Sequence, residues 1–566
     1  MTKLPAPCAE DTVDLIVLGS GAAGLAAAVT AAIHGLRVVV LEQAEVAGGT
    51  SAWSGGWIFA PRNPVARRAG IDEPPEAPRA YLQAVAGNRF RADRVDAFLA
   101  AAPEMVAFFE QNTALQFQGG LIIPDTYGHL PGAGMGGRSV IAAPFDARAL
   151  GPALALLRLP LAETTFRGMT IQAGPDLRAF LTMTRSLRSL GHVAGRVLRH
   201  GRDLALHGRG MDLRNGAALI GRLLLSARRA GVDLRLSQQV SALSIDRGRV
   251  CGVMLADGRR LTARRGVVLA CGGFGHDAAR AADLLPRAAE HLSLSVPTAK
   301  GGGLRLAEAV GAALDHDLAS AAALCPVSRV PWPDGSEGRF PHIIDRGKPG
   351  VIGVLANGAR FCNEGLGYHD YVTALLAAVP EGEAAQSWLV CDHRFLRRYG
   401  LGIVRPAPVP YGGWIRAGYL RRGQSPRDLA LACGIDPAGL QATLERWNAH
   451  AAQGADPEFG RGSSAYMRLQ GDPDQRPNPN VAPITRAPFY AVKVEPGSFA
   501  TFAGLRTDAQ ARVLDGQGQA IAGLYAAGSD AASIFGGTYP AGGINLGPAL
   551  TFGFIAARHA ASQDPA

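Results

Sequence analysis

The chain has 566 residues, 48% hydrophobic and 18% charged, which is more chain than one hydrophobic core usually supports, so two domains are expected. The net charge of +10 suits weak attraction to anionic surfaces, but no nucleic-acid-reading module accompanies it, and no nucleic-acid partner is expected. Seven scattered cysteines without a CxxC pair argue against a disulfide framework or a metal site, and for a reducing, cytoplasmic setting. The amino end lacks the long apolar run of a signal peptide, and no run of about 18 apolar residues offers a membrane span.

Residues 13–18 read as a short apolar strand, followed by Gly19-Ser20-Gly21-Ala22-Ala23-Gly24 and an Ala-rich helix to about residue 34. Residues 38–41 form the next strand, which ends in Glu42. This is a βαβ unit with GxGxxG at its first turn and an acid placed for ribose hydroxyls, the pattern of a dinucleotide site. The helix N-terminus would stabilise phosphate charge. Next comes a loop with Gly49, Thr50, Ser51, Ser54, Gly55 and Gly56, whose hydroxyls and N–H groups suit a second contact to the same cofactor.

Residues 81–229 read as mainly helical, with irregular loops at 124–137. Within them, 178–209 holds seven arginines and one acid, Asp203. On a helical wheel Arg178, Arg185, Arg188, Arg196, Arg199 and Arg202 fall on one side, with Phe180, Met183, Leu187, Leu190, Val193 and Val197 largely opposite. Two readings follow: a solvated helical pair packed on the domain, or a peripheral docking surface for a membrane or an acidic partner.

Strands are expected at 232–240, 248–255 and 267–270, joined by hairpin turns, with Cys271-Gly272-Gly273-Phe274 closing the last. Mixed segments run to about 488, and a strand–loop–helix over 523–553 closes the chain. In that loop Tyr539 offers a phenol among glycines, suited to gripping a carbonyl oxygen. The expected architecture is α/β. A Rossmann-like cofactor domain is made from both chain ends, 1–287 (with a helical insertion at about 80–230) and 488–566, and an α+β catalytic domain at 288–487 is inserted between them.

GSGAAG with Glu42, the GGTS loop, LACGGF, GARFCNE and GLYAAG together resemble the flavoprotein family of fumarate reductases and 3-ketosteroid dehydrogenases, in the right order over nearly the whole chain. The resemblance implies FAD. Relatives that attach FAD covalently use a histidine near the GG-T/S loop, and residues 48–57 contain none, so non-covalent FAD is expected. The implied cofactor contacts also take in Gln43, Val240, Gly272, Gly528 and Asp530, with the backbone of Asn545 and Leu546 at the flavin edge.

The resemblance also divides the family. Fumarate reductases carry an arginine five residues after the Asn of their RFxNE motif, and here that place holds Tyr368. Their HTxGG motif corresponds to Ala500-Thr501-Phe502-Ala503-Gly504, without histidine. The ketosteroid Δ1-dehydrogenases have a tyrosine similar to Tyr368 and a SYPGPG-type loop, here Thr538-Tyr539-Pro540-Ala541-Gly542-Gly543. The implied reaction removes two hydrogens beside a ring ketone and passes electrons to an acceptor that the sequence does not identify. Tyr539 O–H and Gly543 N–H would hold the ketone oxygen, and Tyr368 would take the α proton. Tyr127 or His129 would assist Tyr368. The alternative is a flavin reductase acting on an activated C=C of another acid or ketone.

Overall fold

The computed structural model describes residues 12–563. Two sheets organise it. The first has eight strands. Strand Thr12–Leu18 lies between Val38–Leu41 and Arg260–Leu269, parallel to both, and Ala520–Ala526 runs parallel to the end of Arg260–Leu269. Helices Ala22–Ile33 and Leu546–Ser562 pack together on one face. Their contact is tight: a Cβ on Gly553 would come within 2.5 Å of the Ala23 carbonyl oxygen. Strands covered on both faces need near-continuous apolar runs, and 15–18 and 38–41 provide them, all buried. The cofactor-type domain is therefore built from both ends of the chain.

The second sheet has seven strands, in the order Glu337–Pro341, Ala322–Pro331, Phe489–Thr501, Ser387–Asp392, Val351–Val354, with Leu292–Ser293 and Arg421–Gly423 added along the long strand. The thirteen-residue strand Phe489–Thr501 is its spine, so the second sheet runs past the expected boundary at 487. Pro488 stands just ahead of that strand, where a proline costs no ladder hydrogen bond.

The Arg-rich segment folds as helices Pro175–Thr182 and Leu187–His207, and the longer one seats neither side of the wheel: Arg188, Arg199 and Arg202 are exposed as expected, while the buried stripe is Val193, Arg196 and Asp203. Arg196 faces inward, donating to both oxygens of Asp176 at 2.6 Å and to the Thr170 carbonyl at 2.8 Å. Asp203 is buried too, paired with Arg148 at 2.5 Å. Leu187 and Leu198 are instead 88% and 75% exposed, and Leu190 and Leu206 are exposed as well. Two ion pairs, Arg196 with Asp176 beneath the helix and the helix's own Asp203 with Arg148, outcompete its leucines for the inner face, because a desolvated arginine–carboxylate pair is bound far more specifically than an apolar contact. Among the described residues, no helix is long and apolar enough to cross a membrane.

Candidate functional site

The turn after the first strand requires its glycines. Gly19 has φ +99°, and a Cβ there would lie 2.3 Å from the Ala270 carbonyl oxygen. A Cβ on Gly24 would lie 1.9 Å from the Gly19 carbonyl oxygen, so only glycine lets the helix start this close to the strand. Gly21 differs: its Cβ direction meets nothing nearer than Ser51 Oγ at 3.5 Å. Gly272 is similarly open, with Ala299 at 3.9 Å, and nothing lies within 4 Å of Gly55. All three line one cavity of about 1310 Å³. A close-packed turn that leaves its second glycine open is a cradle for a pyrophosphate.

Hydroxyls fix the cradle. Ser51 Oγ accepts from Ala22 N at 3.0 Å, Ser20 Oγ accepts from Gly48 N at 3.0 Å, and Thr50 Oγ1 accepts from Val296 N at 3.1 Å. Glu42 Oε2 accepts from Ser20 N at 2.9 Å and from Ser20 Oγ at 2.6 Å. Of the expected cofactor contacts, Gly19, Ser20, Gly21, Ala22, Ala23, Glu42, Gln43, Gly49, Thr50, Ser51, Ser54, Gly55, Gly56, Val240, Gly272, Gly528, Asn545 and Leu546 line the cavity. Gly24 and Asp530 do not. Asp530 is fully buried and accepts from Cys271 N at 2.6 Å and Gly273 N at 2.9 Å. It clamps two glycine turns together, so it acts on the cradle from behind. Burial raises its pKa.

The same cavity reaches Tyr368, Tyr539 and Gly543. Tyr368 is the first residue of helix Tyr368–Ala378. Its ring meets Tyr539 edge to face with centroids 4.8 Å apart, and Phe499 at 5.3 Å. The 538–543 loop is tied down through its carbonyls: Pro540 O accepts from Tyr81 Oη (2.6 Å) and Thr126 N (2.8 Å), and Gly542 O accepts from Ser139 Oγ (2.8 Å). Gly543 has φ +95°, and a Cβ there would strike Ile58 N at 2.6 Å. Its carbonyl accepts from Phe59 N at 3.0 Å, while among the described residues no acceptor meets its N–H. Asn545 Nδ2 donates to Tyr539 Oη at 3.4 Å, which leaves the phenolic proton free to donate onward.

Burial pushes the Tyr368 phenol well above the usual range, and the neighbouring Tyr539 and Tyr466 add to the rise. Burial raises Tyr539 as well, offset in part by its hydrogen bond with Tyr368. Both phenols are protonated at neutral pH. His369, next in the chain, accepts from Leu324 N at 3.2 Å, and burial lowers its pKa to about 4, so it is neutral.

Tyr127 is not among the residues lining the cavity. An Asp125–Arg138 pair at 2.5 Å and the Thr126–Pro540 bond fix its loop, and the Tyr127 hydroxyl donates to Asp370 Oδ1 at 2.9 Å. His129 is exposed. The tyrosine that does line the cavity beside the two phenols is Tyr466, on helix Ala465–Gln470. Burial pushes its pKa up to about 12, and its hydroxyl is bonded with Gln470 and Thr126. No motif marks it; only the Ser464 cap ahead of a short helix is visible in sequence.

A glycine-cradled dinucleotide site opening onto paired phenols defines a flavoprotein of the two-domain type. The chain belongs to the FAD binding domain family, which matches residues 14–546. It is 37% identical over 553 residues to a 4-oxocyclohex-2-ene-1-carboxylate 5-dehydrogenase of Sinomonas cyclohexanicum, covering 97% of this chain and 93% of that one. It is 36% identical over 566 residues to a 3-oxosteroid 1-dehydrogenase of Mycobacterium tuberculosis, covering 97% and 98%. Among solved structures, a 3-ketosteroid Δ1-dehydrogenase from Sterolibacterium denitrificans in complex with 1,4-androstadiene-3,17-dione superposes with a TM-score of 0.90 at 34% identity, covering 98% of this chain and 100% of that one. FAD is the cofactor, and the open glycine cradle fits it.

Proposed function

We propose that the protein is an FAD-dependent dehydrogenase that introduces a C=C bond next to a ring ketone. The observation that carries this reading is the pairing of Tyr368 and Tyr539, 4.8 Å apart, in the cavity that the glycine cradle opens onto. Tyr539 O–H and the unengaged Gly543 N–H hold the ketone oxygen and stabilise the charge that develops there. Tyr368, its phenol deprotonated, takes the proton from the α carbon. FAD, when bound in the cradle, supplies the hydride acceptor for the β hydrogen. The relatives named above are dehydrogenases of a 3-oxosteroid and of a 4-oxocyclohex-2-ene-1-carboxylate, each a ring bearing a ketone, which supports a ring-ketone substrate. Anaerobic mixing of the FAD-loaded protein with saturated ring ketones is expected to bleach the flavin band. Failure of every ring ketone to bleach it, with reduced flavin reoxidised by an enoate, would overturn the reading in favour of a reductase.

The same reading includes peripheral contact with an anionic lipid surface through helix Leu187–His207. Its exposed leucines form an outward stripe, and Arg188, Arg199 and Arg202 flank them, the pattern of an interfacial helix. The neighbouring helix supplies Leu177, Arg178 and Leu181 to the cavity wall, so the helix pair borders the site. Vesicles containing phosphatidylserine are expected to pellet the protein, neutral vesicles much less, and L187D/L198D should abolish the difference. Equal, salt-insensitive recovery with both vesicle types removes the membrane contact. A cytoplasmic setting is part of this reading, supported by six free cysteines among the described residues.

A further inference from the structure

Several basic side chains line the cavity away from the glycine cradle, and most are neutralised in place. Arg178 reaches Asp474 at 3.3 Å and Arg185 reaches the same carboxylate at 4.0 Å. Arg214 pairs with Asp212 at 3.1 Å. Lys348 and Arg405 differ. Among the described residues their only hydrogen-bond partners are backbone carbonyls. Lys348 Nζ donates to Gly471 O at 2.6 Å, and Arg405 Nη2 donates to Glu163 O at 2.9 Å and Thr165 O at 2.8 Å. The acids nearby are committed elsewhere: Asp472 to Arg398 at 2.5 Å and Tyr399 at 2.6 Å, Asp345 to His342 at 2.7 Å and to Gly402 N at 3.1 Å.

Lys348 is only 9% exposed, and burial lowers its pKa to about 8. An ammonium has three donors, so two are left over in a desolvated place, where unpaired charge is costly. The two cations come from adjoining loops, because Asp345, three residues before Lys348, bonds the N–H of Gly402, three residues before Arg405. The site lies near the phenols. Helix Ala465–Gln470 carries Tyr466, whose hydroxyl interacts electrically with Tyr368 and Tyr539, and it ends at Gly471, which holds Lys348. Five residues at the helical rise amount to about 7–8 Å along the axis.

We propose that Lys348 binds a carboxylate on the substrate ring, remote from the ketone. The substrate class is then a carboxylated ring ketone. This rests on the ring-ketone reading but is tested apart from it.

Calorimetric titration of the FAD-loaded enzyme with cyclohexanecarboxylate and with its methyl ester reads the subsite without turnover. At pH 7 the acid is expected to bind at least tenfold tighter. K348M should erase that preference, and K348R should keep it. Equal binding of acid and ester to the wild-type protein overturns the subsite, whatever the variants do. Preference for the acid without bleaching by any ring ketone sinks the ring-ketone reading and leaves the subsite standing. Bleaching by neutral 3-ketosteroids, with no preference for the acid, does the reverse.

Discussion

Tyr368→Phe is expected to slow reduction of the flavin by a ring ketone by roughly 10²- to 10⁴-fold, the usual contribution of a positioned base. The variant removes one oxygen and keeps the ring, so the edge contacts with Tyr539 and Phe499 survive and folding is not at issue. The pH profile separates this role from a wall role. Burial raises the Tyr368 pKa, so its phenolate is scarce at pH 7 and becomes commoner as pH rises. A rate that needs the phenolate must therefore climb with pH, about tenfold per unit while pH stays below the pKa in the complex. The phenol sits at the positive end of helix Tyr368–Ala378, which favours its anion. Stopped-flow reduction over a range of pH checks both points. A Tyr368→Phe enzyme that keeps the wild-type rate and slope would remove Tyr368 from the chemistry.

The cofactor half of the site was legible because it is local. GxGxxG, Glu42 and the 48–56 loop each lie within a short stretch, and backbone sterics dictate glycine wherever a carbonyl approaches within about 2 Å, as at Gly24. The substrate half is assembled from distant segments, and only the residues inside family motifs could be read. Tyr466 reaches the phenols from a helix nearly a hundred residues beyond Tyr368, and nothing in its neighbours foretells that. Tyr127 was placed by its loop, yet the loop's direction depends on Arg138, just past its end, and on Pro540, which is remote in sequence. The Arg-rich helix shows the limit of a wheel: it separates arginines from leucines, but the stripe that turns inward, Val193, Arg196 and Asp203, draws on both sides and depends on Asp176, outside the helix.

Two buried basic clusters in the second domain clarify each other. Arg360 donates to Glu364 at 2.9 and 2.8 Å and to Asp456 at 2.9 and 3.0 Å, and Arg461 reaches Glu364 at 3.1 Å. Glu364 also accepts from Gly353 N at 2.9 Å. Every charge there is met by another, so the cluster orders the loop leading to Tyr368 and leaves nothing for a ligand. Removing one member would strand a buried charge, at a cost of about 3–5 kcal/mol. Lys348 and Arg405 donate only to carbonyls, with Asp472 and Asp345 attracting Lys348 but bonded to other groups, and it is this lack of a directly bonded carboxylate that distinguishes a binding cation from a scaffolding one.

Tyr539→Phe is expected to lower flavin reduction by a ring ketone on the order of 100- to 1000-fold, equivalent to about 3–4 kcal/mol, as when one oxyanion donor is lost. The partner donor, Gly543 N–H, belongs to the backbone and persists, so activity falls without vanishing. The shape of the loss differs from that of Tyr368→Phe. A donor that stays protonated across the working range contributes equally at every pH, so the Tyr539→Phe profile should be the wild-type curve displaced downward, with its slope intact. Asn545→Ala should give a smaller displacement in the same direction, because Asn545 only polarises the phenol through a 3.4 Å bond. If Tyr539→Phe flattened the slope instead, Tyr539 would be the base and Tyr368 the donor. The edge-to-face contact permits that exchange of roles geometrically, whereas Asn545, by donating to Tyr539, and the adjacent Gly543 N–H favour the assignment made here.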